Sequence, residues 1–301
     1  MKRKIFIFSG IITVSIAMWY LLLMPYDYNV YIKANTSQGT CFQSILDWGE
    51  TLKKKRKIPV IVIDKENFNS VTQSLTLKSY DLDFNWTIDI KDDSTTTILL
   101  NIKNKTNSIK DRIEKLFGKS ELKELINTEI TNFNTGLLKH LEEFKVKVDG
   151  SNKSPETYVA YVNVESNQKD KAGIMISNSP YINRFLKENN IKLESHPFLE
   201  IKNWDMNSTA LDFNFCFPIK KTDSFPKHAE IKYKKVLAKP AIKATFNGNY
   251  SISDRAWYAI HHYAKNNNIE LKPSLFEVFY NNPHLGEDEM SWKAEVYIEN
   301  R

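Results

Sequence analysis

Apolar and polar residues alternate with period two along short stretches of this chain and recur every three to four residues along longer ones. Tyr28–Ala34, Val71–Lys78, Asp81–Ile90 and Thr95–Lys103 alternate and are expected to be strands, with Asp92-Asp93-Ser94 as a tight turn before the last. Ile58–Ile63 is an apolar strand, and Thr40–Leu52 has helical spacing through Phe42, Ile45, Leu46 and Trp48. From Ser108 to about Phe144, residues such as Ile109, Ile113, Leu116, Leu122, Ile126, Phe133 and Leu137 fall on one stripe. The spacing predicts a long amphipathic helix, which Gly118 can divide. Further on, strands are expected at Tyr158–Val164, Phe198–Trp204 and Leu211–Ile219, with a helix over Ser179–Asn190. The same order returns at Ile231–Phe246, a turn at Asn247-Gly248, a helix over Ser253–Asn266, and strands at Ser274–Tyr280 and Trp292–Ile298.

That recurrence is also visible in the letters. Asn189-Asn190-Ile191-Lys192-Leu193 precedes Phe198-Leu199-Glu200-Ile201, as Asn267-Asn268-Ile269-Glu270-Leu271 precedes Leu275-Phe276-Glu277-Val278. A duplicated helix-strand-strand unit implies pseudo-symmetry and a cleft between the halves, a natural place for a small molecule.

Ile5–Met24 is a nearly uncharged run of bilayer-spanning length preceded by Lys2, Arg3 and Lys4. It predicts an uncleaved signal anchor with residues 1–25 as cytoplasmic tip and span, and with the domains on the extracytoplasmic, periplasmic side. The membrane is then an expected partner. Those three basic residues and the run Lys53–Lys57 account for more than the net charge of +6, so the remainder has no nucleic-acid footprint. Of the two cysteines, Cys41 and Cys216, each falls in a different expected domain, so neither a disulfide framework nor metal spacing is present. No metal or cofactor is expected, and no HExxH, GxSxG, Walker A or GxGxxG motif occurs.

The strand, helix, meander and closing helix of residues 26–148 resemble the helix-grip fold of the SRPBCC (START-like) superfamily, which implies an apolar cavity under the long helix. An ordinary α+β domain with a filled core stays open beside it. The breaker-rich segment 149–155 is taken as a linker. Residues 156–301 resemble the GyrI-like (AraC-type) effector-binding domain. The resemblance rests on Ala244–Tyr250, Trp257-Tyr258-Ala259-Ile260, Leu275–Pro283 and Ala294–Ile298, with Glu299 where the family commonly has proline. The expected fold class is therefore α+β: an N-terminal transmembrane helix, a helix-grip-like α+β domain, and a tandem βαββ pseudo-two-fold effector-binding module.

The resemblance implies a cleft that binds small, often aromatic or cationic molecules, and with no catalytic motif in the chain the expected role is binding without catalysis. The expected ligand-binding residues are Glu277, Tyr280, Trp257, Tyr250, Trp204 and Glu295. A carboxylate among aromatic rings suits a cation, and Glu200 is the repeat mate of Glu277. Two competing readings stand beside this. One is a hydrolase of small electrophiles in which Glu277 activates water beside Tyr280. The other is a structural or interaction protein whose cleft is filled by its own side chains.

Overall fold

Burial alternates residue by residue along Ser70–Leu77 and over residues 96–104, as a half-buried sheet requires. The computed structural model describes residues 2–118, 120–286 and 288–301, with side chains for all of these except 2–6 and 284. Packing divides the chain into two units, one through Ala34, Cys41–Asp89 and Thr96–Leu138, the other Asn35–Thr40, Ile90–Thr95 and Lys139–Arg301. The architecture is α+β with two antiparallel sheets.

The first sheet contains β1 (Tyr28–Ala34), β2 (Val60–Glu66), β3 (Ser70–Leu77), β4 (Tyr80–Asp92) and β5 (Thr95–Asn104), in the order β1-β5-β4-β3-β2. The helices of this part are α1 (Lys2–Met18), α2 (Gln38–Lys55), α3 (Ser108–Leu116) and α4 (Glu121–Leu141). The single long helix expected after Ser108 is thus two, broken where Gly118 takes φ +70°, a conformation costly for any residue with a Cβ. Trp48, Phe84, Trp86 and Phe133 form one aromatic cluster with ring centroids 5.0–6.0 Å apart in the core of this unit.

The N-terminal run corrects the sequence reading. Helix α1 has 17 residues and covers about 25 Å at 1.5 Å per residue. A single π-helical turn over Trp19–Leu23 follows, and Met24 is extended. Among the described residues, no helix is long and apolar enough to cross a membrane. The expected transmembrane anchor, the extracytoplasmic placement and the membrane partner fall with it. The side chains of Lys2, Arg3 and Lys4, which carried the topology argument, lie outside the described residues.

What holds the end of this helical segment is Arg112 on α3, 1% exposed. Its Nη1 donates to the carbonyls of Tyr20 (2.6 Å) and Leu21 (3.1 Å), its Nη2 to that of Met24 (2.7 Å), and its Nε to Asp27 (2.6 Å). A guanidinium here satisfies carbonyls that a helix end leaves without partners. Burial works to raise the Asp27 carboxyl pKa, but hydrogen bonds from Ser108, the Asn104 amide and Arg112 outweigh it and hold it below the ordinary value.

The second sheet has eight strands in the order β10-β7-β9-β8-β12-β13-β11-β6. These are β6 (Phe144–Lys153), β7 (Thr157–Asn167), β8 (Phe198–Trp204), β9 (Ala210–Pro218), β10 (Lys232–Val236), β11 (Pro240–Gly248), β12 (Leu271–Phe279) and β13 (Lys293–Asn300). Helix α5 (Lys171–Glu188) follows β7, and α6 (Asp254–Asn266) follows β11. The triplets β7-β9-β8 and β12-β13-β11 mirror one another across the β8–β12 pair, which runs from Leu275↔Ile201 to Val278↔Phe198. Met175, Ile182 and Leu186 of α5 and Ala256, Trp257 and Ile260 of α6 share one core with Leu199, Phe213, Phe246 and Val296 of the sheet. Both helices therefore cover the same face.

The linker expected at 149–155 is largely strand. Residues through Lys153 pair with β11, and Asp149 is passed over where the register shifts between Lys243 and Ala244. Gly150, at φ +86°, supports that bulge. Edge strand β6 has one open side, so its polar tail tolerates the residues that read as a linker.

Replacing Arg112 by Met leaves the buried Asp27 with only Lys103, 4.0 Å away, for a cation, and the full chain should lose about 3 kcal/mol in urea unfolding. Because the folded pKa of Asp27 is depressed, its stabilisation in the wild type is present above about pH 3.9 and is lost as pH falls through the lower folded value. Urea midpoints measured between pH 2 and 6 check that window.

Candidate functional site

The second unit places a charged pair inside its core. Lys171, at the start of α5, and Glu277, on β12, both have fully buried side chains, with Nζ 3.1 Å from Oε2 and 3.3 Å from Oε1. The ammonium also donates to Ser253 Oγ (2.5 Å) and the Tyr250 carbonyl (3.3 Å), and it lies 5.1 Å from the Trp257 ring centroid. An ammonium has three N–H donors, so this environment meets its full capacity. Burial pushes the Glu277 carboxyl above its ordinary value, against the pull of Lys171.

From this pair α5 and β12 lead into a cleft. Along α5, Lys171, Met175, Ser179 and Asn183 are spaced four apart, hence on one side of the helix. Along β12, Phe279 lies two residues beyond Glu277 and shares its face. Met175, Ser179, Asn183 and Phe279 line an opening of about 410 Å³ together with Phe215 and Phe217 of β9, Tyr250, His196 and Tyr280–Pro283. Pro180, inside α5 and also on the wall, cannot donate to the Ile176 carbonyl one turn earlier, so the helix is locally weakened where it borders the cleft.

Of the six expected residues, Tyr250 and Tyr280 line this cleft and the other four do not. Tyr250 is 3% exposed; its hydroxyl donates to the Lys293 carbonyl (2.8 Å) and accepts from the Asn281 amide (3.0 Å). The Tyr280 hydroxyl donates to Glu295 Oε2 at 2.7 Å. Trp257 is core, edge-on to Trp204 at 5.2 Å, and the Trp204 indole donates to Gln168 at 2.9 Å. Those two rings belong to a cluster with Tyr258 and His261, whose imidazole pKa is lowered to about 4 by burial.

Glu295 faces the other side of the sheet. Its register partner Val278 packs with Phe276 and Tyr297, apart from the helix-side core. It accepts from Tyr280, from Tyr297 (2.8 Å), from Lys243 (2.8 Å) and from Lys293 (2.7 Å). Burial raises the Glu295 pKa, but these donors outweigh it and bring it down to about 2. The same bond to Glu295 adds to burial in raising the Tyr280 phenol.

Two expectations need correction. Glu200 is not the spatial mate of Glu277, because Phe276 opposes Glu200 while Glu277 opposes Leu199. Residues directly opposite share a face, so the two glutamates point to opposite sides. Glu200 is held there by Asn214 (2.7 Å) and Lys234. The Glu277–Tyr280 pair of the hydrolase reading does not form either, since the carboxylate is enclosed with Lys171 and the phenol is bound to Glu295. The residues that sequence reasoning missed are Lys171, Met175, His196, Phe215, Phe217 and Phe279. Alternation through Leu211–Ile219 carried the signal for Phe215 and Phe217, whereas nothing local distinguishes Lys171 from other lysines.

Among proteins of known structure, the C-terminal domain of EcmrR is similar at 16% identity with a TM-score of 0.45, over 52% of this chain and 98% of that one. SAV2435, solved bound to tetraphenylphosphonium, is similar at 9% identity with a TM-score of 0.36, over 53% of this chain and 94% of that one. The di-domain ARO/CYC protein BexL, from the BE-7585A biosynthetic pathway, covers 91% of this chain and 85% of its own at 9% identity, with a TM-score of 0.28. No family model matches the chain, and no curated protein matches it. Likenesses this distant carry no argument about activity.

The buried pair yields a stability test. Lys171→Met should cost about 3–5 kcal/mol, and Lys171→Met with Glu277→Leu should recover most of it, measured as a double-mutant cycle in urea. In the single variant Glu277 loses its cation and its folded pKa rises further. A carboxyl with a raised folded pKa loses its stabilising contribution as pH rises through that value, so the deficit should be larger at pH 8 than at pH 5.

Proposed function

We propose that the second unit is a non-catalytic small-molecule binding module whose ligand occupies the cleft beside α5. The observation that carries this reading is the lining: a cleft of about 410 Å³ walled by Phe215, Phe217, Tyr250, Phe279 and Tyr280, with Met175 on the helix side. Ligand sites typically enclose about 300–1,000 Å³, with mostly apolar walls and a few placed polar groups. Here the polar groups are Asn183, Asn281, Asn282, Ser179 and His196. Both βαββ repeats contribute, α5 and β9 from the first and Tyr250 and the end of β12 from the second, as a duplicated module leads one to expect.

The rigid parts of this wall also support binding. Tyr250 packs against Phe279 at 4.9 Å and Trp292 at 5.4 Å, and both its hydrogen-bonding positions are used by backbone. A ring held this way loses little freedom when a ligand arrives, which lowers the entropic cost of binding.

The test uses the full chain and the neutral, polarity-sensitive fluorophore N-phenyl-1-naphthylamine. Saturable enhancement of its emission is expected, and Ile176→Trp should weaken it about tenfold by filling the mouth, equivalent to ~1.4 kcal/mol. Ile176 lines the cleft and is 42% exposed, so the larger ring does not enter the packed core. Enhancement that persists unchanged in Ile176→Trp would remove the cleft as the site.

A further inference from the structure

We infer that this cleft selects neutral aromatic molecules and rejects organic cations, because the carboxylates joined to its lining already hold lysines of the same chain. The inference rests on the proposed function above and names the ligand class of that site. No Asp, Glu, Lys or Arg contributes to the described lining. A charge entering an apolar cleft without a partner gives up hydration it does not recover.

The acidic groups that could serve a cation are committed. Glu277, on the same strand face as Phe279, is enclosed with Lys171 at 3.1 Å. Glu295, bound to the hydroxyl of Tyr280, carries Lys243 and Lys293 at 2.8 and 2.7 Å. Two ammonium groups on one carboxylate leave Glu295 no unpaired negative charge to offer a cationic ligand.

Aromatic rings alone can attract a cation through their faces, so their state decides the matter. Lys293 Nζ lies 4.5 Å from the centroid of the Tyr280 ring, and the His196 ring packs on Tyr280 at 4.6 Å. The charge that a ligand would bring to Tyr280 is supplied by Lys293. Tyr250 is likewise engaged by other rings, with Phe279 and Trp292 packed against it at 4.9 and 5.4 Å. What is left is the apolar area of Phe215, Phe217 and Phe279, a setting that rewards neutral aromatic surface.

The experiment is competition against N-phenyl-1-naphthylamine on the full chain with an isosteric pair, tert-butylbenzene and phenyltrimethylammonium, which differ in charge but hardly in shape. The neutral compound should displace the fluorophore at a concentration at least about tenfold lower, ~1.4 kcal/mol. Lys293→Met, at a position whose side chain is 40% exposed, should narrow that ratio severalfold by uncovering the Tyr280 ring and removing one of the two ammonium groups on Glu295. Equal or stronger displacement by phenyltrimethylammonium would overturn the selectivity while leaving the cleft a ligand site. A ratio unchanged in Lys293→Met would overturn its assignment to the internal lysines. Absence of fluorophore binding altogether would overturn both this inference and the proposed function.

Discussion

The arrangement of the second unit depends on one buried contact, Lys171 with Glu277. It ties the first turn of α5 to a central strand, and the row of wall residues in line with Lys171 on that helix is counted from it. Met175, Ser179 and Asn183 follow at intervals of four on α5, and Phe279 follows two residues along β12. The cleft opens where the two elements lead away from their joint. A buried ion pair is a poor source of net stability, because desolvation offsets most of the attraction. Its use here is geometric. Ser253, the Tyr250 carbonyl and Trp257 surround the ammonium, so one register of helix against strand satisfies every donor.

The same device recurs on the far side of the sheet without full burial. Glu295 gathers two lysines and two tyrosines, Glu200 holds Lys234 and Asn214, and Glu299 holds Lys239 and Lys272 at 2.8 and 2.6 Å. Each of these three carboxylates has at least one lysine of the same unit as its cation. Lysine stems lie over the tyrosine rings there, with Lys234 Nζ 4.9 Å from Tyr161 and Lys243 Nζ 5.8 Å from Tyr297. The negative charges that a sequence reading offers to a ligand are thereby internal to the fold.

Periodicity made the strands and helices legible where one face is buried and the other wet. The repeat in the letters also marked out the two βαββ halves, including β8 and β12 at their junction. It misled where an element sits at an edge or a break. The tail of β6 is polar because one side of an edge strand has no partner, so it read as a linker. The apolar run at the N-terminus read as one span, although a π-helical turn interrupts it after Met18 and Arg112 caps its end through groups from another helix. Of the candidate site, Tyr250 and Tyr280 were found through family motifs, while Phe215 and Phe217 were present as alternation but without anything to mark them as lining.

By itself the sequence determined an α+β chain, the approximate extent of most elements and the duplication of the second half, since those depend on local spacing of apolar side chains. Tertiary structure alone decided which face each glutamate takes and what neutralises it. Glu200 and Glu277 stand at matching places in the repeated letters, yet the pairing of β8 with β12 puts Leu199, not Glu200, opposite Glu277. A one-residue offset in register exchanges the two sides of a strand, and an ion pair such as Lys171 with Glu277 joins residues 106 apart in the chain. No local pattern encodes either relation, because both arise only when distant segments pack.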